Sequence, residues 1–297
     1  MPAVAVALCA AVVALAALGG ARAQQLSPAY YDGSCPHGCD GSLLLDETPT
    51  MRSEKAADAN VGSARGFPVV DDIKAALEHA CPGVVSCADI LALAAEISVE
   101  LAGGPYWRVM LGRRDGMAAN FDGAQNLPSP QDPLDNLTQK FADLGLDDTD
   151  FVALQGAHTI GRAQCQSIQD RLYNFSGTEQ PDPTLDRAYL AALRQRCPAA
   201  AGGDGTGLND LDPVTPDRFD NSYYANIQRN RGLLRSDQAM LSAPEEGAES
   251  TAPIVGRFAS SQAQFFQSFA TAMIKMGNIA PLTGSMGEVR RNCRVVN

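Results

Sequence analysis

Three histidines, eight cysteines and 34 carboxylate side chains are the groups with which this 297-residue chain could do metal, redox or acid–base chemistry. The histidines are few enough to weigh singly. His79 falls off an apolar stripe of helical spacing and reads as a solvated helix residue. His37 sits in Ser34–Asp46, SCPHGCDGSLLLD, a run that could be a metal site, a redox motif or a catalytic elbow. Zinc on Cys35-x-His37-x-Cys39 would need a fourth ligand, and none suggests itself nearby. His158 lies on an apolar face within LQGAHTIGRAQC, which suits a hydrogen-bonded core histidine or a metal-binding imidazole. Gly156 and Gly161 flank it and would let a large flat group approach closely.

The elements that must position these residues are helical. Phe67, Val70, Ile73, Leu77 and Ala80 recur at three- and four-residue spacing and stop at Cys81-Pro82-Gly83. Ser86-x-x-Asp89 reads as a capping box opening a helix that runs to Glu100. Leu134, Leu137, Phe141 and Leu144 mark another, stopped at Gly145. Thr149 can cap the next, in which Phe151, Leu154 and His158 share a face. Phe258, Phe265, Phe269, Met273 and Met276 form one long stripe ending at Gly277-Asn278. Pro198–Leu208 and Ser242–Thr251 read as loops, alternating strands are scarce and no repeat is visible. The fold class expected is mainly α.

Residues 1–23 read as a secretory signal: Val4–Leu18 is apolar, and Ala21-Arg22-Ala23 gives a small-x-small cleavage pattern. The run is short for a membrane span, so the expected product is a soluble chain over 24–297. Without Arg22 it carries 22 basic and 34 acidic side chains, a balance that repels nucleic acid and anionic lipid. Asn136-Leu-Thr138 and Asn174-Phe-Ser176 are glycan acceptor sequons, meaningful only in the secretory pathway. Cys9 leaves with the signal. Cys35, Cys39, Cys81, Cys87, Cys165, Cys197 and Cys293 remain, an odd number where an oxidising compartment favours disulfides.

VSCADILALAA (85–95), LGRRDG (111–116) and GAHTIGRAQC (156–165) resemble the secretory haem peroxidases of plants, the class III family. So do RLYNFSG, DPTLD, LDPVTPDRFDNSYY, GLLRSDQ and the terminal MGNIAPLTGSMGEVRRNCRVVN, in order from Gln25 to Asn297. The resemblance implies the helical haem-peroxidase fold with one haem b and His158 as its proximal iron ligand. Asp237 would accept that ligand's other ring N–H and give it imidazolate character. Thr159, Asp212, Thr215, Arg218 (through its carbonyl) and Asp220 match the proximal calcium site, their hard oxygens suiting Ca²⁺. Gly38, Asp40, Ser42 and Glu54 match part of the distal one, the second of the family's two calcium sites. Pro128 matches a residue lining the substrate channel, and Asn60 the amide that hydrogen-bonds the distal histidine. The implied disulfides are Cys35–Cys81, Cys87–Cys293 and Cys165–Cys197, which leaves Cys39 a free thiol.

Against the family pattern, the distal side is truncated. Cys35-Pro36-His37 runs straight into Gly38-Cys39-Asp40, where family members carry two helices, the second with Arg-x-x-Phe-His-Asp-Cys-Phe-Val. The distal arginine and histidine, part of the distal calcium set and the partner of Cys39 go with that segment. His37 is one residue before Gly38, not six, and so is not a positional substitute. Glu96-Ile97 replaces a common Arg-Asp pair, which puts a buried partner for Arg113 or Arg114 in question.

The resemblance implies a secreted, extracellular (apoplast or cell-wall) monomer that uses hydrogen peroxide to oxidise small phenolic donors. This includes peroxide removal, lignin-type chemistry and oxidative-stress response. The end at Val295-Val296-Asn297, without a longer tail, favours the extracellular location over the vacuole. Losing positioned acid–base or electrostatic catalysis predicts peroxide cleavage slowed by at least about a hundredfold. The alternatives are a non-catalytic haem-binding or apo cell-wall protein, or an incomplete gene model of an active peroxidase.

Overall fold

The computed structural model describes residues 40–199, 205–242 and 248–297. The expected signal, and Cys35, His37, Gly38 and Cys39, lie outside the described residues. So does the expected Cys35–Cys81 bond, since only Cys81 is described. Helices dominate, as the spacing predicts. The sheet among the described residues is one antiparallel pair, β1 (Arg162–Gln164) with β2 (Leu208–Asp210), Arg162 opposite Asp210. The chain divides into two compact units. One ends its first stretch at Ile97 and adds Arg108–Leu127 and Ile274–Asn297; the other is Ser98–Trp107 with Pro128–Met273.

In the first unit, α1 (Phe67–Ala80) follows Gly66, whose φ of 83° suits glycine, and carries Pro68 in its first turn. Its apolar stripe buries Leu77 against Val85 and Ile90, with Val70 and Ile73 packed alongside. Cys81 closes it by donating its N–H to the Leu77 carbonyl. Helix α2 (Cys87–Leu101) begins where expected, but its capping box is only half made. Ser86 Oγ accepts the Asp89 N–H at 3.1 Å, while the Asp89 carboxylate turns away to the Gly112 N–H at 2.7 Å and to Arg113. A different carboxylate takes over the helix start. Asp115, wholly buried, accepts the N–H groups of Cys87 (3.1 Å) and Ala88 (2.8 Å), donors a helix start leaves without partners. Asp89 also answers the question raised by Glu96-Ile97, since Arg113 Nη1 pairs with it at 3.3 Å. Arg114 donates to the Met286 and Gly287 carbonyls. The Cys87–Cys293 disulfide joins α2 to the C-terminal segment. Helix α3 (Phe121–Gln125) is one turn, capped by Asn120 Oδ1 on the Gly123 N–H.

The second unit holds α4 (Leu134–Ala142), α5 (Asp148–Gln155), α6 (Gln169–Tyr173), α7 (Arg187–Arg196), α8 (Ser222–Gln228), α9 (Arg235–Ala239), α10 (Ala248–Ser260) and, as far as Met273, α11 (Gln262–Met276). Three expectations need correction. Asp147, not Thr149, caps α5, because Asp147 and Asp150 exchange side-chain and backbone hydrogen bonds at 2.9 and 3.0 Å. The phenylalanine stripe is split between α10 and α11 at Ser261, so Phe258 packs across a helix–helix turn onto Phe265. The expected loop at Ser242–Thr251 is helical from Ala248 onward. The core they build is aromatic: Phe219, Tyr223, Tyr224, Phe258, Phe265 and Phe269 are each at most 1% exposed. Burying a phenylalanine contributes about 1.5–3 kcal/mol, so this cluster supplies much of the unit's cohesion. A second cluster of Ile168, Leu172, Leu193, Leu233 and Leu234 surrounds the Cys165–Cys197 disulfide.

Candidate functional site

His158 rides on a 3₁₀ turn, Gly156–Thr159, that follows α5 rather than continuing it. Gly156 has no room for a side chain, since a Cβ there would stand 2.2 Å from Tyr224 Oη and 2.4 Å from Phe265 Cε2. The expectation that Gly156 makes way for a flat ligand is therefore corrected: it makes way for the aromatic core. Gly161 has φ 96° and serves the backbone path into β1.

His158 Nδ1 lies 2.8 Å from Asp237 Oδ1, the pair that the resemblance implies. Asp237 is wholly buried in the first turn of α9 and has no ion-pair contact with lysine or arginine among the described residues. Three donors compensate its charge instead. Oδ1 takes His158 and the Tyr223 hydroxyl (2.9 Å), and Oδ2 takes the Leu234 N–H (2.8 Å). A carboxylate can only accept, so Nδ1 carries a proton, and in the neutral imidazole Nε2 holds the lone pair. Nε2 takes no hydrogen bond from the described residues, and the His158 side chain keeps 28% exposure. Burial disfavours the imidazolium, but the charge and hydrogen bond of Asp237 outweigh it and hold the His158 pKa above its ordinary value. Burial, then the Asp237 charge, push the Tyr223 pKa well up, so its hydroxyl stays a donor. Tyr223 was not singled out from sequence. Arg171, also missed, is wholly buried; its Nη1 donates to the carbonyls of Gly232, Leu233 and Leu234 at 2.6, 2.8 and 3.0 Å, and Asp182 holds it at 2.8 Å. That grip fixes the segment from which Leu234 reaches Asp237.

Beside the couple, the structure brings together four of the five residues matched to proximal calcium. Asp212 Oδ2 faces the hydroxyls of Thr159 and Thr215, each at 3.4 Å, and Thr215 Oγ1 lies 3.1 Å from Asp220 Oδ1. Asp212 is wholly buried and Asp220 is 6% exposed; among the described residues the cation paired with them is the exposed Arg218 guanidinium, 3.8 Å from Asp220. The fifth residue, Arg218, donates its N–H to the Thr215 carbonyl, while its own carbonyl accepts nothing among the described residues. Two buried carboxylates facing hydroxyls at 3.1–3.4 Å are a donor set that fits a hard cation.

The distal residues lie in the first unit. Asp40 Oδ1 accepts the Ser42 N–H at 3.0 Å, whereas its buried Oδ2 has no hydrogen-bond partner among the described residues. A buried carboxylate oxygen without a donor fits a cation beside Asp40 and Ser42. Glu54 Oε1 accepts the Asn120 N–H at 2.7 Å. Asn60 Nδ2 donates to the Glu54 carbonyl at 2.8 Å, leaving its Oδ1 without a donor among the described residues. Pro128, Asn136 and Asn174 are exposed, and so is His79 in the last turn of α1.

A helical chain presenting a carboxylate-backed imidazole has the architecture for gripping a metal from one side. Comparison gives the family. The model of the Peroxidase family matches residues 9–261. Peroxidase 54 of Arabidopsis thaliana is 50% identical over 321 aligned positions, taking in 96% of this chain and 88% of that protein. Peroxidase 15 of Ipomoea batatas is 60% identical over 262, covering 88% and 79%. Peroxidase C2 of Armoracia rusticana is 48% identical over 309, covering 92% and 88%. The chain belongs to the peroxidase family, among the class III peroxidases of plants. By family it is a hydrogen-peroxide-dependent oxidoreductase. The family implies haem and calcium in general, its class III members are secreted, and no described helix is long and apolar enough to cross a membrane.

Proposed function

We propose that this chain is a secreted haem peroxidase by descent whose peroxide activation is severely impaired. The carrying observation is the His158–Asp237 couple, which leaves Nε2 as the nitrogen able to hold iron. Haem bound there would supply the redox chemistry with peroxide. The chain's own residues would fix the imidazole, hold its Nδ1 proton and keep the buried carboxylate compensated. Thr159, Asp212, Thr215, the Arg218 carbonyl and Asp220 would hold one calcium; Asp40 and Ser42, with Gly38 and Glu54, part of a second. Exposed Pro128 suits the edge where small phenolic donors arrive, and the exposed Asn136 and Asn174 suit glycans on an apoplastic monomer.

Impairment follows from what no residue can replace. The histidines are His37, His79 and His158, so the chain holds none between Gly38 and Glu78 to take and return the peroxide proton. The relatives support a missing segment. Coverage of 96% of 297 residues is about 285, so the 321 positions aligned with Peroxidase 54 leave about 36 that this chain does not fill. Coverage of 92%, about 273 residues, of the 309 aligned with Peroxidase C2 again leaves about 36. A shortfall of the same size against both relatives also suits a second reading, a coding segment lost from an ordinary peroxidase.

Hemin titration of the purified chain should give a Soret band. Guaiacol oxidation with peroxide should run at least about a hundredfold below an intact plant peroxidase assayed alongside. Equal turnover would refute impairment. Transcript sequencing across codons 35–40 separates the two readings, because a message encoding the missing helices leaves no impaired product. Denatured, unreduced protein should titrate one thiol per chain, assigned to Cys39.

A further inference from the structure

We propose that Tyr223 is a positioning residue for the His158–Asp237 couple: by sharing Asp237 Oδ1 it sets how strongly that oxygen draws the Nδ1 proton. It thereby sets how electron-rich a ligand His158 presents. The inference rests on the reading of His158 as the iron ligand, but its physical content concerns the protein alone.

Asp237 Oδ1 accepts from His158 at 2.8 Å and from the Tyr223 hydroxyl at 2.9 Å, so two donors divide one oxygen's charge. Each draws density that the other would otherwise receive, and in a buried site this mutual weakening is not washed out by solvent. Tyr223 is 1% exposed, its ring edge-on to Tyr224 at 5.0 Å and to His158 at 6.1 Å, so its hydroxyl cannot turn to water. The third donor cannot adjust. Leu234 N–H reaches Oδ2 at 2.8 Å from a segment whose three successive carbonyls Arg171 grips. Variation in the carboxylate's hold on His158 therefore falls to Tyr223.

The test uses the whole chain with ring-¹⁵N histidine, whose three histidines give few signals. Tyr223→Phe keeps the ring and removes only the hydroxyl. The His158 Nδ1–H resonance should move downfield and its exchange with solvent slow by about two- to fivefold, the scale of part of one hydrogen bond. His37 and His79 should not move. Replacing tyrosine by 3-fluorotyrosine, a stronger donor, should move the same resonance upfield, and this arm stands even if Tyr223→Phe fails to fold. An unmoved resonance, or the same direction in both, overturns the proposal. Hemin titration of the same samples reports separately: no Soret band sinks the haem reading while the proton resonance still decides the role of Tyr223.

Discussion

Asp237→Asn keeps the shape of the side chain and removes one of its two acceptor oxygens. The three donors on Asp237 then compete for a single carbonyl. Leu234 N–H is a backbone donor that cannot reverse its polarity, whereas the Tyr223 hydroxyl can rotate to accept and His158 can move its proton to Nε2. The amide oxygen should therefore face Leu234 and its NH₂ should face Tyr223 and His158. The hydrogen-bond count survives, so the stability loss is the difference between charge-assisted and neutral bonds, about 1–2 kcal/mol. On a chain of this size that lowers the unfolding temperature by a few degrees. The ligand suffers more. Nε2 now carries a proton that must leave before a metal can bind, and groups supporting a metal-binding histidine are worth about 10–100-fold in affinity. Hemin titration followed at the Soret band, with thermal unfolding alongside, should show weakening of that order in a folded variant. Ring-¹⁵N spectra should show Nε2–H in place of Nδ1–H. Parental hemin affinity together with a retained Nδ1–H would refute the reasoning.

Four further outcomes are expected. Gly156→Ala would drive a Cβ to 2.2 Å from Tyr224 Oη, disturbing its bond to the Val152 carbonyl, and should cost about 1–3 kcal/mol in denaturant unfolding. Arg171→Met takes the cation from Oδ2 of Asp182, 3% exposed, and frees three carbonyls; a loss of about 3–5 kcal/mol should appear in the same assay. Burial raises the Glu78 pKa, but the Lys74 bond and the Gly83 N–H outweigh it and hold it below the ordinary glutamate value. Its contribution, on the order of 1 kcal/mol, is therefore present above the unfolded-state pKa and fades as pH falls through the depressed one; Glu78→Gln should flatten that part of the acid limb. Chelating calcium should lower the unfolding temperature of the parent, since a ligand at a hundred times its Kd contributes about 2.7 kcal/mol, and the drop should be smaller in Asp212→Asn.

Local pattern made α1 and α4 legible, because three- and four-residue apolar spacing and a glycine stop are properties of a short window. What long contacts decide was not legible. Asp115 starts α2 from 27 residues away in sequence, so the Ser86–Asp89 signature was half right and its acid was needed elsewhere. Asp237 is separated from His158 by 79 residues, and only its place in a family motif marked it. Gly156 shows the converse error. Glycine beside a histidine invites a ligand, but its neighbours in space are Tyr224 and Phe265. Tyr223 sits in a conspicuous Tyr-Tyr pair, yet nothing in one sequence says that its hydroxyl points at a carboxylate rather than at solvent.

On the proposed reading, the position of the interruption bears on which half of the chemistry survives. His158, Tyr223, Asp237 and Arg171, with the four side chains gathered at Asp212, all fall between Pro128 and Met273, within one compact unit and far downstream of the join at His37–Gly38. Among the described residues, the hydrogen bonds that orient the imidazole are made inside that unit. Holding an iron ligand and cleaving peroxide are thus separable demands. On the proposed reading the chain meets the first without the second, so a Soret band accompanied by slow turnover is the expected signature. A chain that neither binds hemin nor keeps the Nδ1–H of His158 protected from exchange would show instead that the lost segment was needed to fold the second unit.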